Sequence, residues 1–331
     1  MIDLLKKNGA FYKANLHCHT TLTDGKMTPE EVKEYYLKNG YNIVAFTDHS
    51  KYAWHKELLS DDFLPIAGFE AAWTCLDPDV TPLKFKLCHI NFLANDPDNA
   101  VVLPESHAYD IGAINRYIAA MKKLGWVCTL NHPGWSLQTS EEINALMGLD
   151  GFEVYNHGSQ VNDNNGESQG YWARYLNNGS HAYAVAADDN HCGYDENGVV
   201  GPGDNTLGGY ICISMPELTY NSFFDAFKNG RFYASTGVEI KELYIDEETD
   251  ELVLSCSPVK QVIVKGVHTV PAVRLDGYGD DYTCARIPMA PVREKEPFFR
   301  LELRTTSGKT AYSQPYYFEK GERQGMCYEA I

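Results

Sequence analysis

The chain has 331 residues, 44% of them hydrophobic and 22% charged. That is the make-up of a soluble globular protein with a sizeable core, long enough for one large domain or two ordinary ones. A formal net charge of −17 argues against nucleic acid or an anionic membrane as partner, and no run approaches transmembrane length. The nine cysteines are scattered without a CxxC pair and read as reduced, mostly buried thiols. Residues 1–16 carry Lys6, Lys7 and Lys13 and no continuous apolar run, so a cytoplasmic location is expected.

In chain order, short apolar segments end repeatedly in a histidine or an acid. Ala14 and Leu16 lead into His17-Cys18-His19, followed by Asp24. Residues two apart on a strand share a face, so His17 and His19 point one way and Cys18 the other. A helix is expected from Thr28, with Pro29 at N1 and Glu31 closing a capping box, up to Gly40. Residues 42–47 run into Asp48-His49, with Asp48 expected to orient a ligand histidine. Residues 64–69 run into Glu70 and 85–88 into His89.

Ile114, Ile118, Met121 and Leu124 share helical spacing over 111–124, and Gly125 stops that helix. Residues 126–131 then lead into His132-Pro133-Gly134, with Trp135 next. Ser140 opens a short helix. Residues 151–155 end at Asn156 and His157, either facing substrate or forming a plain polar strand end. A helix is expected over 168–176, and residues 182–187 end in Asp188-Asp189-Asn190-His191. The glycine-rich stretch 193–209 is a lid over the site or a long surface connection. Cys192, like Cys18, is expected to be a core thiol. After a helix over 222–228 the pattern changes to short strands near 243–245, 251–256, 261–265 and 298–303 without convincing helix signals. Alternating strands and helices with ligand-type residues at one strand end describe βα units building a site at the C-terminal face of a parallel sheet.

The ordered set His17-x-His19 with Asp24-Gly25, Thr47-Asp48-His49, Gly68-Phe69-Glu70, Asn131-His132-Pro133 and Asp189-Asn190-His191 resembles the PHP (polymerase and histidinol phosphatase) superfamily. The resemblance covers residues 14–192. It implies an α/β fold, a distorted (β/α)7 TIM-like barrel over 1–240, while the short strands after it are expected to form a small antiparallel β-sandwich-like domain over 241–331. It also implies two or three divalent metal ions (Mn, Fe or Zn). Carried over position by position, His17, His19, Glu70 and Asp189 hold a first ion. Glu70 bridges to a second, completed by His89 and His132, and Asp24, His49 and His191 hold a third. Some members carry His at the Asp24 position, and Asp there hardens the site toward oxygen-preferring ions.

Residues 230–237, Gly-Arg-Phe-Tyr-Ala-Ser-Thr-Gly, look like the CehA/McbA branch of that superfamily. The branch usually continues with Pro and Glu, where Val238-Glu239 stands here.

The chemistry accounts for the residue types. Neutral imidazoles suit Zn, Fe and Mn, and a carboxylate spans two ions. Paired ions lower the pKa of a bridging hydroxide and clamp phosphoryl oxygens, with Glu70 and Asp189 positioning that nucleophile. The expected activity is hydrolysis of a small phosphorylated substrate. The alternatives are a carboxylic or carbamic ester or amide hydrolase and a non-catalytic metal-binding regulatory module. Lys51, Arg174 and Arg231 are the candidate phosphate contacts, with Asn156, His157 and Arg174 the candidate substrate residues. The oligomeric state is left open.

Overall fold

The computed structural model describes residues 1–5, 9–77, 84–105, 107–191 and 205–318. Most of Gly193–Gly209, and Cys192, lie outside them. The first strands and helices are β1 (Ile2–Asp3), β2 (Ala10–Asn15), α1 (Pro29–Lys38), β3 (Ile43–Phe46), β4 (Leu64–Asp77) and β5 (Lys84–Ala94). There follow α2 (Ile111–Lys123), β6 (Trp126–Leu130), α3 (Ser140–Asn144), β7 (Gly151–Asn156), α4 (His157–Asp163), α5 (Gln169–Asn177) and β8 (Tyr183–Ala187). Next come β9 (Tyr210–Met215), α6 (Tyr220–Lys228) and β10 (Phe232–Ser235).

The helices form where the local chemistry places them. Thr28 caps α1 in the expected capping box with Glu31, and Asn39 and Gly40 (φ 79°) end it. Asp110 caps α2, whose Ile114, Ile118 and Met121 are fully buried. Two helices differ from expectation. α3 takes Thr139, not Ser140, as its cap. α4 carries no apolar stripe of its own: Asn156 caps it directly from the end of β7.

Strands β2 to β8 lie side by side in chain order within one 14-stranded mixed sheet. Pairs β2–β3, β3–β4, β6–β7 and β7–β8 are parallel, but β5 runs antiparallel to both neighbours. Only six residues separate Asp77 from Lys84. A parallel crossover needs a dozen or more, so β4 and β5 form a hairpin and the expected alternation with helices breaks there. Beyond β2 and β8 the backbones meet: Asp189 N donates to His17 O at 3.0 Å and His19 N to Asn190 O at 3.1 Å. The first and last strands of the series therefore deliver their ligand residues to one place.

The remaining strands are β11 (Ile240–Asp246), β12 (Glu251–Val259), β13 (Gln261–Lys265), β14 (Val273–Asp276), β15 (Tyr282–Pro288), β16 (Phe298–Arg304), β17 (Thr310–Tyr312) and β18 (Tyr316–Tyr317), with helix α7 (Ala290–Lys295) among them. The sequence had given no signal for α7. β1, β11, β12 and β15 form a separate antiparallel sheet, while β17 joins β10, so the tail continues the large sheet. Its apolar core includes Leu4, Leu5, Tyr233 and Val238 from before residue 240. No described helix is long and apolar enough to cross a membrane. None of the seven described cysteines forms a disulfide, and Cys18 is fully buried in an apolar cluster with Val32, Tyr36 and Val44.

Candidate metal centre

All nine expected ligands converge on one cluster. Glu70 is at its centre. Its Oε1 lies 3.3 Å from His17 Nε2, 3.1 Å from His89 Nδ1 and 3.3 Å from His132 Nε2, and its Oε2 lies 2.8 Å from His49 Nδ1. Asp189 Oδ1 lies 3.1 Å from His17 Nε2 and 3.0 Å from His19 Nε2, with Oδ2 3.7 Å from His132 Nε2. Asp24 Oδ2 lies 3.4 Å from His49 Nε2 and 3.3 Å from His191 Nε2.

The ligand atoms fall into four overlapping groups, each spanning at most 4.8 Å: His19 with Asp24, His49 and His191; His17 with His19 and Asp189; His17 with Glu70 and His132; His49 with Glu70 and His89. The groupings differ in detail from the family's scheme. His19 also stands with Asp24, His132 with His17, and His49 with His89. A shared carboxylate at the centre explains the overlap, since Oε1 faces His17, His89 and His132 while Oε2 faces His49 and His19.

The donor set fits divalent ions. His19 Nδ1, Glu70 Oε2 and Asp189 Oδ1 are buried atoms that form no hydrogen bond. Glu70 Oε2 and His49 Nδ1 are close but lack hydrogen-bond geometry. Unsatisfied buried acceptors cost free energy unless something meets them, and a cation among converging lone pairs does so. Backbone conformation agrees. His132 (φ 26°), Asp189 (φ 55°) and Ser50 (φ 50°), which follows His49, all occupy the left-handed region. Each such residue costs about 1–3 kcal/mol, a strain that clusters at functional sites.

The protonation pattern follows from the crowding. Burial opposes charge on Glu70, yet His89, His17 and His132 hold its carboxyl well below the usual range. Burial likewise opposes charge on Asp189, and His17 and His19 hold it well below the ordinary value. Against burial, Asp189, Glu153 and Glu70 raise His17 well above an ordinary imidazole, and Glu70 raises His49 to about 9. Burial lowers His19. Two ionised carboxylates held among imidazoles are the charge state that cations require.

A second layer fixes the ligands, and sequence reasoning missed most of it. Glu153 is buried on β7. Its Oε1 lies 2.7 Å from His17 Nδ1, and its Oε2 accepts from His132 N at 2.8 Å and Asn156 Nδ2 at 2.9 Å. A proton on His17 Nδ1 leaves Nε2 as a lone pair facing the cluster. Asn131 Nδ2 donates to Glu70 Oε1 at 2.7 Å, and Ser136 Oγ holds His132 Nδ1 at 3.1 Å. Asn15 donates to His17 O at 3.0 Å and accepts from Asp188 N at 2.9 Å, knitting β2 to β8.

Asp188 itself anchors residues 207–209. Its carboxylate accepts from Leu207 N, Gly208 N and Gly209 N, and from Tyr36 Oη, each at 2.8 Å. Asp48 accepts from Thr20 N at 2.9 Å and Thr23 Oγ1 at 2.7 Å, so it shapes the loop that carries Asp24 and does not orient a histidine. The available signal for Glu153 was an acid inside a strand whose neighbours, Phe152 and Val154, are apolar on both sides.

The cluster opens into a pocket of about 260 Å3 lined by Asp24, His49, Glu70, His89, His132, Asp189 and His191, together with Trp135, Gly158, Ser159, Asn162 and Asp163. Asn156 is fully buried, capping α4 and donating to Asp189 Oδ2 at 3.2 Å. His157 packs its ring against Gly208, where a Cβ would sit 2.2 Å from the ring. Neither lines the pocket. Arg174 is exposed on α5, 5.9 Å from the Tyr171 ring centre, and Arg231 pairs with Asp225. Lys51 donates to Leu22 O at 3.2 Å beside the Asp24 loop. Trp135 stands half-buried at the pocket wall.

No family model and no curated protein matches the chain. Among solved structures, it is similar to a two-domain protein from Bacteroides vulgatus containing a predicted PHP-like metal-dependent phosphoesterase. That match has 15% identity over 95% of this chain and 98% of that one, with a TM-score of 0.43. A proposed metal-dependent phosphoesterase from Bifidobacterium adolescentis matches at 18% identity over 57% of this chain and 90% of that one, TM-score 0.38. An amidohydrolase from Chromobacterium violaceum, holding sulfate and no metal, matches at 15% over the same shares, TM-score 0.37.

Proposed function

We propose that this protein is a metal-dependent hydrolase of the PHP superfamily that cleaves a small phosphate ester. The observation that carries the reading is Glu70, a fully buried carboxylate approached by five histidines on its two oxygens. No structural role needs that arrangement, and removing cations would leave it a costly concentration of buried polar groups. Divalent ions (Mn, Fe or Zn) at such a centre supply Lewis acidity and bring the pKa of a bound water near neutrality. His17, His19, Glu70 and Asp189 would hold a first ion, His89 and His132 with Glu70 a second, and Asp24, His49 and His191 a third.

The protein's own groups do the rest. Glu153 sets the tautomer of His17, Ser136 holds the His132 ring in place, and Asn131 fixes the Glu70 carboxylate. A pocket of about 260 Å3 admits a small molecule. The assignment of 1–240 as the catalytic domain, with 241–331 as a β-rich appendage, and the cytoplasmic location belong to the same proposal.

One observation favours a second reading, hydrolysis of a carboxylic or carbamic ester or amide. No Lys or Arg lines the pocket among the described residues, and 192–204 contain none in sequence. An uncharged acyl centre needs no basic clamp. A panel of phosphomonoesters, phosphodiesters and carboxylic esters with the manganese-loaded protein tests this. Turnover of phosphate esters that disappears in Glu70→Gln supports the first reading. Turnover of carboxylic esters alone establishes the second. No turnover of any ester by fully loaded protein contradicts both and leaves a regulatory module.

A further inference from the structure

The far wall of the pocket is built as firmly as the cluster it faces. Trp135 sits in the turn that begins at the ligand His132, closed by Ser136 N donating to His132 O at 3.0 Å. Its indole stands edge-on to the His132 ring at 5.0 Å. Its Nε1 donates to Asp163 Oδ2, at the end of α4, at 2.8 Å. Asn165 Nδ2 donates to Gly134 O at 3.0 Å, and Gly134 N to Ser168 Oγ at 3.3 Å, so the two loops that form this wall are cross-tied. Asp163, Asn162 and Ser159 line the same space. The surface therefore combines an aromatic side chain with an acceptor carboxylate and two groups, Asn162 and Ser159, that both donate and accept. Asp24 adds a further carboxylate on the ligand side.

We propose that this wall, Trp135 with Asn162 and Asp163, selects the group that leaves during hydrolysis, and that the group is an uncharged hydroxylated ring of the sugar or cyclitol class. The inference rests on the phosphoesterase reading above for the position of the reacting centre. A ring with hydroxyls at its edge and C–H groups on its face matches an indole plane bordered by a carboxylate and an amide, because Asp163 accepts hydroxyl protons and Asn162 both donates and accepts. A second anionic group on the substrate reaching this wall would meet Asp163 with no Lys or Arg beside it among the described residues, so a bisphosphate is disfavoured.

The test uses non-hydrolysable phosphonates and calorimetry on the manganese-loaded full chain. A hexose phosphonate should bind at least about tenfold more tightly than methylphosphonate, the difference expected from one or two net hydrogen bonds and a ring contact. Trp135→Ala and Asp163→Leu should each bring that ratio close to one, and a hexose bisphosphonate should bind more weakly than the monophosphonate. Asp163→Asn, which keeps an acceptor for Trp135 and removes the charge, should retain most of the hexose preference and lose the discrimination against the second phosphonate. Equal affinity for hexose and methyl compounds, an unchanged ratio in both variants, or preference for the bisphosphonate would overturn the inference. Failure of the phosphoesterase reading looks different: no phosphate ester is turned over, while among carboxylic esters the hexose ester is still preferred over the methyl ester.

Discussion

Glu153→Gln is nearly isosteric, yet the structure predicts a large effect on metal binding. Both carboxylate oxygens accept protons: Oε1 faces His17 Nδ1 at 2.7 Å, and Oε2 takes His132 N at 2.8 Å and Asn156 Nδ2 at 2.9 Å. A glutamine has one acceptor oxygen for these two sides. If its oxygen serves His132 N and Asn156, its amide nitrogen faces His17 Nδ1. The imidazole must then accept there and carry its proton on Nε2, the atom that faces Glu70 and Asp189. The ligand lone pair is lost. If the amide turns round, the backbone N–H of His132 loses its partner in a buried, already strained turn. Loss of a group that orients a ligand costs about 10–100-fold in metal affinity, or about 1.4–2.7 kcal/mol. Competitive titration of manganese or zinc against a chelator reads this directly, with far-UV circular dichroism checking that the fold persists. Wild-type affinity and stoichiometry in a folded Glu153→Gln protein would refute the tautomer argument.

Asp188→Asn, outside the ligand set, should lower unfolding free energy by about 1–3 kcal/mol, because an amide must face at least one of the four donors that now converge on the carboxylate. An unchanged thermal midpoint in metal-free protein would count against that anchoring role. In the tail, Glu302 is buried with Arg300 NH1 at 2.6 Å and Lys265 Nζ at 3.0 Å. Burial opposes its charge, but Arg300 and Lys265 hold its carboxyl below the usual value. Its contribution is therefore complete above the unfolded-state pKa of about 4.3 and is lost as pH falls through the lower folded-state value. The stability difference between wild type and Glu302→Gln should be largest near pH 7, about 3–5 kcal/mol for a broken buried pair, and should shrink below about pH 4. Urea midpoints of both proteins across that range test it, and a constant difference would remove Glu302 from the acid sensitivity.

The candidate ligands were legible because each follows an apolar run in the sequence, where a histidine or acid stands out, although β4 and β5 continue past Glu70 and His89 and so carry them inside strands. That rule located His17, His19, Glu70, His132, Asp189 and His191 without any three-dimensional information. It failed for Glu153, which lies inside a strand and is satisfied only by partners at positions 17, 132 and 156. The β4–β5 hairpin was hidden for a different reason: both strands are buried apolar runs, and such runs do not reveal their direction. α4 was missed because its only strong local signal is Asn156, a cap that also reads as a polar strand end. Trp135 shows the limit of composition. An indole packs well in a core, and only the fold brings residues 132–136 against 158–163 to make it a wall.

The central claim, that the Glu70 cluster is a metal centre, is tested most directly by counting metal. Protein reconstituted with manganese, iron or zinc, freed of loose ions and analysed for metal and protein together should hold two to three equivalents per chain, and Glu70→Gln should hold fewer. Less than one equivalent in fully reconstituted, folded wild-type protein would contradict the account.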